Sequence, residues 1–422
     1  MKKSLRAFRK PLAVLIAAAA LTISLPQTSQ AYAVLTHQAM IDFSWKKIIA
    51  PALRHRYPSA SDADIEASRA YAYGGAIIQD LGYFPFAGAD FSNLAHYVRS
   101  GGFVEALIRD AQNPNEYAFA LGALCHYCAD SNGHPLATNR AVAVYFPILR
   151  HEFGDLVTYE DDQTAHSRAE FGFDVLRVAR HEYPSEDYHD RKGFKVSKPL
   201  LERAFKDTYG LDLKHVVKHE SLALWCYTDI VTTVIPHLSE IAWAKQHDQI
   251  VALYPDLTRE KYIIARQRLN RRERAIEANE GPSAFDRFVA FVVGVFGSSF
   301  SKLNVKIPTK ETNGFFRQSW EGTRDMYEKR IQEVDAGSLH LPDLDLDTGR
   351  NTSLGEYRLA DQTYGTLLHS LAKAGFTGVD PALKSDILAF YSDGNIPGWY
   401  RPVDAKLWPR TLQEIARLKE AK

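Results

Sequence analysis

Cysteine is scarce, with only Cys125, Cys128 and Cys226 in 422 residues. An odd, sparse set excludes a disulfide framework as the basis of the fold. Cys125 and Cys128 form a C-x-x-C around His126, but no second such pair completes a four-cysteine zinc site. No strand pattern precedes it to make a thioredoxin-like redox motif. Both read as small apolar packing residues on a buried helix. Neither sign of charge is in excess, since Lys+Arg and Asp+Glu each count 51 and the formal net charge is zero. No global basic field exists to attract nucleic acid or anionic lipid, so only a local patch could serve. Alternating runs between hairpin turns are missing, as is any internal repeat.

What is present begins with a leader. Lys2, Lys3, Arg6, Arg9 and Lys10 precede a nearly continuous apolar run from Pro11 to Leu25, followed by Ser29-Gln30-Ala31. That order predicts a signal peptide over 1–31, cleaved near Ala31/Tyr32, and a secreted or periplasmic mature protein. The apolar run is short for a membrane span, which takes about 20 residues.

Periodicity beyond it is helical nearly everywhere, and the expected fold class is all-α. Helices are predicted over Thr36–Ala52, from a cap at Ser61 or Asp64 to about Asp80, and from near Phe103 after the separator Gly101-Gly102. Asn115 to about Ser131 is apolar all round, as a central buried helix would be, and Asn132-Gly133 and Pro135 are expected to end it. Further helices are predicted over Gln163–His181 and over Leu211–Gln246, the latter broken near Pro236. This gives a multi-helix domain over 32–250 and a further mainly helical region of unknown role over 251–422. In the latter, Arg266–Arg274 reads as a solvated face. Phe285–Phe300 reads as a core helix, with membrane-surface contact as the sharper alternative. Leu341–Asn351 has alternating aspartates like a calcium loop. Its glycine is one place late and Leu354 stands where a bidentate Glu belongs, so it reads as a loop.

The chemistry lies in spaced His and carboxylate residues. His126 and Asp130 are four apart, hence on one face of a helix that is otherwise apolar. Buried polar groups need a partner, and a metal is an economical one. His134 follows just past the predicted helix end. His166 and Glu170 repeat the spacing on another helix. Asp80 follows Gly74-Gly75, His96 sits among apolar neighbours, and His37 lies near the start of the first helix. Alone, each has a plain alternative: a surface pair, a loop residue, a core histidine. Together, imidazoles and carboxylates without thiolate suit zinc in a hydrolytic site.

The stretch LGALCHYCADSNGHPLATN, residues 121–139, with its H-Y-x-x-D and Ala-x-Asn, resembles the bacterial zinc-dependent phospholipase C family. That family shares its fold with the fungal single-strand-specific nucleases. The order of early His, Asp, His, H-x-x-x-D, His and H-x-x-x-E also matches, from Tyr32 to about Asp174 and to about 245 as a helical domain. The resemblance implies three zinc ions. Asp80, His96, His126 and Asp130 would hold one, and Asp130 would bridge to a second held by His37 and the mature N-terminus. His134, His166 and Glu170 would hold the third. Tyr32 would ligate through its α-amine and carbonyl, and it stands where the family has Trp. The implied activity is hydrolysis of a phosphodiester by hydroxide generated on zinc, with Asp80 and Asp130 as catalytic carboxylates. The expected substrate is phospholipid, with no stable nucleic-acid partner. The alternatives are a nuclease or nucleotidase, with Tyr83, Phe84, Phe86 and Tyr97 as stacking platforms, or a non-catalytic zinc-binding protein. Asp174, one turn beyond Glu170, is either a partner orienting a ligating His or a surface residue.

Overall fold

The computed structural model describes residues 32–180, 182–183, 193–257, 305–392 and 407–421. The predicted leader and the segments 266–274 and 285–300 lie outside the described residues. The chain is all-α, as expected. Its helices are α1 (Val34–Ser44), α2 (Ala50–Arg56), α3 (Asp62–Gly75), α4 (Ala89–Tyr97), α5 (Ser100–Asp110), α6 (Pro114–Gly133), α7 (Asn139–Tyr145), α8 (Pro147–Phe153), α9 (Gln163–Ala179), α10 (Lys198–Tyr209), α11 (Glu220–Asp229), α12 (Ile235–Leu253), α13 (Lys310–Asp335), α14 (Arg358–Lys373), α15 (Pro381–Phe390) and α16 (Trp408–Glu420). Among the described residues the strands are β1 (Leu344–Asp345) and β2 (Arg350–Asn351), an antiparallel pair. Among them, too, no helix is long and apolar enough to cross a membrane.

Helix α6 is the axis. It starts at an Asn113 cap whose side chain accepts from the Glu116 amide, and 17 of its 20 residues are buried. A helix apolar on every face must be surrounded, and α3, α5 and α13 surround it. The α3 contact is unusually close. A Cβ at Gly75 would lie 1.9 Å from the Phe119 carbonyl oxygen, and one at Gly122 would lie 2.2 Å from that of Ala72. Only glycine lets the two backbones meet this way.

One hydrophobic core joins the two halves of the chain, with Leu35, Phe119 and Leu124 in the same cluster as Tyr327, Ile331, Leu346 and Leu418. The region beyond 305 therefore packs on α6 and the helices around it. Tyr327 of α13 also donates its hydroxyl to the Leu121 carbonyl of α6 at 2.9 Å. Burying each such large side chain contributes about 1.5–3 kcal/mol.

Several expected boundaries move. The first helix is interrupted by a π-helical turn at Trp45–Ile49. The second starts at the Ser61 cap but ends at Gly75, and Asp80 sits in the following 3₁₀ turn, Ile78–Tyr83. Gly101 and Gly102 do not separate elements. They lie inside α5, where a Cβ at Gly101 would strike the Leu341 and Pro342 carbonyls at 2.6 Å. The helical path does not end at Pro135, because a π-helical turn over His134–Thr138 carries it into α7. The long helix near Pro236 begins at Glu220 and passes through a π-turn at Ile230–Val234. All three cysteines are free and buried.

Gly122→Val should drive α3 and α6 apart. The expected loss is about 3 kcal/mol or more, the upper range for overpacking a core, read from urea melts. A wild-type midpoint would show that the close approach is not a constraint.

Candidate metal centre

The elements bring the sequence-predicted side chains together around Asp130 on α6. Its Oδ1 is 3.3 Å from His37 Nε2 of α1, and its Oδ2 is 3.4 Å from His96 Nε2 of α4 and 3.2 Å from His126 Nε2. His134 Nε2 follows at 3.7 Å. Asp80 shares two of these imidazoles, with Oδ1 3.4 Å from the same His96 Nε2 and Oδ2 3.9 Å from His126 Nδ1. Asp80, His96, His126 and Asp130 each offer one donor atom, and these all lie within 4.8 Å of one another. A second group adjoins the first through Asp130 and His134. In it, His166 Nδ1 is 2.7 Å from Glu170 Oε1, and the His134 and His166 rings are 5.0 Å apart. Every one of these side chains is buried.

Backbone carbonyls decide which nitrogens are free. His96 Nδ1 lies 2.8 Å from the Ser92 carbonyl and His126 Nδ1 lies 3.1 Å from that of Ala76. A carbonyl only accepts, so Nδ1 carries the proton in both rings and Nε2 keeps its lone pair for the centre of the cluster. The glycine contact of α3 with α6 puts Ala76 there. His166 is oriented the other way round. Asn139 of α7 donates its amide to the Asp347 carbonyl at 2.8 Å, so its Oδ1 must face His166 Nε2 at 2.9 Å. His166 Nε2 is the donor, and Nδ1 is left facing Glu170.

The residues fit a divalent cation. Both oxygens of Asp80 and of Asp130, and both ring nitrogens of His37 and His134, are buried without a hydrogen-bond partner. Among the described residues no Lys or Arg pairs with either aspartate. A buried carboxylate without donor or counter-charge is expensive. Burial pushes the Asp130 carboxyl up, but His126, His134 and His37 outweigh it and hold it well below the usual carboxylate range. Burial, then neighbouring His126, lowers His37, and burial with His134 lowers His166 well below its ordinary value. His37 and His166 are thus held in the neutral form that ligates, whereas at His96 and His126 burial is outweighed by Asp130 and Asp80, which raise both rings, so a cation there would displace a proton. Two nitrogens with two oxygens suit zinc.

Tyr32 is fully buried, its ring centroid 6.1 Å from that of His37. It packs edge-on against Phe316 and its hydroxyl meets Ser319 Oγ at 2.5 Å, both on α13. Asp174 is neither a surface residue nor a histidine partner. Its carboxylate, on α9, accepts from the Leu35 and Thr36 amides at 3.0 and 3.2 Å and from the Thr36 hydroxyl at 2.6 Å. It thus caps α1 from outside and fixes the helix that carries His37. The sequence offered no signal for this, because the partners are 138 and 139 residues apart. Asp347, beside His134, was missed for a similar reason: within its own segment it looks like a loop aspartate.

A cleft of about 730 Å³ adjoins the cluster. Tyr83 and Tyr159 form its inner wall, their rings 6.0 Å from His96 and 5.8 Å from His166. Phe84, Phe86, Asn93 and Lys218 also line it. Tyr97 does not. It is buried, and its hydroxyl donates to Asp347 Oδ2 at 2.8 Å, which removes it from the expected stacking platforms.

Burial pushes the Asp174 carboxyl up to about 7 from 3.8, outweighing the donors from Thr36 and Leu35. A carboxyl raised in the fold keeps its proton longer in the native state. Its stabilising contribution is therefore full below about pH 4 and is lost as pH rises to about 7. The stability of wild type relative to Asp174→Asn should fall across that window and stay level above it, as measured by denaturant melts at graded pH. A gap that does not change with pH would sink the assignment.

No curated protein and no solved structure gives a match. Residues 36–216 match the family model described as zinc dependent phospholipase C. The match spans every predicted side-chain ligand from His37 to Glu170 and stops short of α11, α12 and all of the region beyond 305. With a buried His and Asp cluster fit for a metal at its centre, this segment of the chain belongs to the zinc-dependent phospholipase C family.

Proposed function

We propose that the chain is an exported zinc-dependent phosphodiesterase acting on phospholipid head groups. The observation that carries this reading is the set of buried, donorless carboxylate oxygens of Asp80 and Asp130 amid His37, His96 and His126, beside an aromatic-lined cleft. Asp80, His96, His126 and Asp130 would hold one ion. Asp130, His37 and the backbone of Tyr32 would hold a second, and His134, His166 and Glu170 would hold a third. Bound zinc supplies Lewis acidity, lowering the pKa of water from 15.7 towards about 7 and offsetting charge on the phosphoryl oxygens.

The chain's own residues do the rest. Asp80 accepts the proton that water gives up, having no donor on either oxygen. The carbonyls of Ala76 and Ser92 keep the His126 and His96 rings turned inward, so no reorientation is needed during turnover. Tyr83 and Tyr159 wall the ligands from solvent and present an aromatic face to the cleft, which suits a cationic head group by cation–π attraction. The neutral charge of the chain gives no reason to expect nucleic-acid tracking.

The Tyr32 part of this reading links export to catalysis. An α-amine exists at Tyr32 only after the leader is cut, and it ligates when neutral, with an ordinary pKa of about 7.7–8.0. The Asp174 cap on α1 and the Ser319 bond to the Tyr32 ring support a fixed seat for that end of the chain.

The mature chain starting at Tyr32 is expected to hold three zinc ions by elemental analysis and to release phosphocholine or phosphoethanolamine from lipid vesicles. Chelation should abolish turnover and leave helical content in place. Cleavage of single-stranded DNA with no lipid turnover would overturn the substrate assignment, and hydrolysis of neither would leave only a zinc-binding protein. A one-Met extension before Tyr32 should cost one ion and most activity. Equal zinc and equal turnover in the extended chain would remove the N-terminal ligand.

A further inference from the structure

The turn between β1 and β2 lies outside the family match, yet it presses on the metal centre. Asp347 is fully buried. Its Oδ1 is 3.5 Å from His134 Nδ1, while its Oδ2 accepts hydroxyl bonds from Tyr97 at 2.8 Å and Tyr357 at 2.6 Å. Two donors on one oxygen fix the plane of the carboxylate and leave the other oxygen aimed at the imidazole. The Asp347 carbonyl accepts the Asn139 amide at 2.8 Å, and Asn139 in turn orients His166. One residue therefore reaches both histidines of the outer group.

The turn itself is held. The Asp345 carboxylate accepts from the Asp347 and Thr348 amides at 2.9 and 3.3 Å. The Leu346 amide donates to the His96 carbonyl at 3.1 Å. Gly349, at φ +69°, lies where a Cβ would be 2.5 Å from the Ser131 carbonyl, so the turn sits directly on the end of α6. This is more attachment than a connecting loop requires, and it lands on the metal residues.

We propose that Asp347 is a positioning residue of the metal centre. Its carboxylate accepts a hydrogen bond from the Nδ1–H of His134, and its carbonyl fixes the His166 ring through Asn139. With the proton held at Nδ1, the lone pair of His134 is at Nε2, the nitrogen that faces Asp130. At 3.5 Å the pair is longer than an ordinary hydrogen bond, and a small rotation of the imidazole closes it. Carboxylates that orient ligating histidines this way typically contribute 10–100-fold in metal affinity. The assignment rests on the reading that His134, His166 and Glu170 hold an ion.

The test uses the full mature chain with ¹⁵N-labelled histidine, as purified and after chelation. His134 signals are identified with His134→Gln. In wild type the His134 imidazole should be protonated at Nδ1, and in Asp347→Ala that signal should be lost. Zinc titrated against a competing chelator should show one ion bound about 10–100-fold more weakly in Asp347→Ala. Asp347→Asn keeps an acceptor oxygen and should restore the tautomer and most of the affinity. Thr348→Ala, which perturbs the same turn at a hydroxyl that accepts from the Arg350 amide and does not bond the Asp347 carboxylate, should leave the His134 tautomer as in wild type. Unchanged His134 signals in Asp347→Ala would overturn the proposal. So would loss of the ion with no change in the imidazole, which would make Asp347 a ligand. If wild type takes up no third ion, the three-zinc reading falls, and the His134 signals still decide the tautomer.

Discussion

Asp80 and Asp130 are ionisable groups sealed in an apolar interior, and among the described residues they have no hydrogen-bond donor and no Lys or Arg to balance them. Removing such charges from water costs several kcal/mol each unless something positive sits between them. The surrounding structure follows from that constraint. Four imidazoles converge on the two carboxylates from α1, α4, α6 and the π-turn after α6. Backbone carbonyls then fix two of them, His96 and His126, through Nδ1, so that Nε2 of each faces inward. The Ala76 carbonyl is in place because Gly75 and Gly122 let α3 lie against α6 almost backbone to backbone. A packing detail two helices wide thus sets the tautomer of His126.

The region beyond the family match is part of this centre. Helix α13 seats Tyr32 through Phe316 and Ser319, and the β1–β2 turn backs His134 and Asn139. The Tyr32 hydroxyl has a use, since Ser319 bonds it. The continuous core from Leu35 to Leu418 makes these contacts durable, because loosening α13 would expose both apolar surface and the seat of Tyr32.

The π-turn at His134–Thr138 explains how one stretch of chain serves two histidines. In a regular α-helix, residues five apart point well away from each other. Widening the turn to i→i+5 brings His134 and Asn139 toward the same side, one ring beside Asp130 and one amide beside His166. Pro135 fits there because the widened turn does not need its missing amide. The same proline, read in the sequence, looks like a helix end.

Much of the site was legible in the sequence because it is local. The i, i+4 pairs His126/Asp130 and His166/Glu170 need only a helix to become neighbours, and the apolar setting of α6 announces that they are buried. The all-α class follows from periodicity for the same reason. What the sequence could not supply is any contact whose partners lie far apart along the chain. Asp174 reads as one more polar residue on α9 until folding brings Leu35 and Thr36 to it. Asp347 reads as a failed calcium loop until β1 and β2 place it on the end of α6. Gly101 and Gly102 look like a break, because nothing local reveals the carbonyls of Leu341 and Pro342 that require them. Sequence by itself determined the helices and the order of the ligand types. Tertiary structure alone decided which groups orient those ligands, because orientation depends on hydrogen bonds closed between segments up to 287 residues apart.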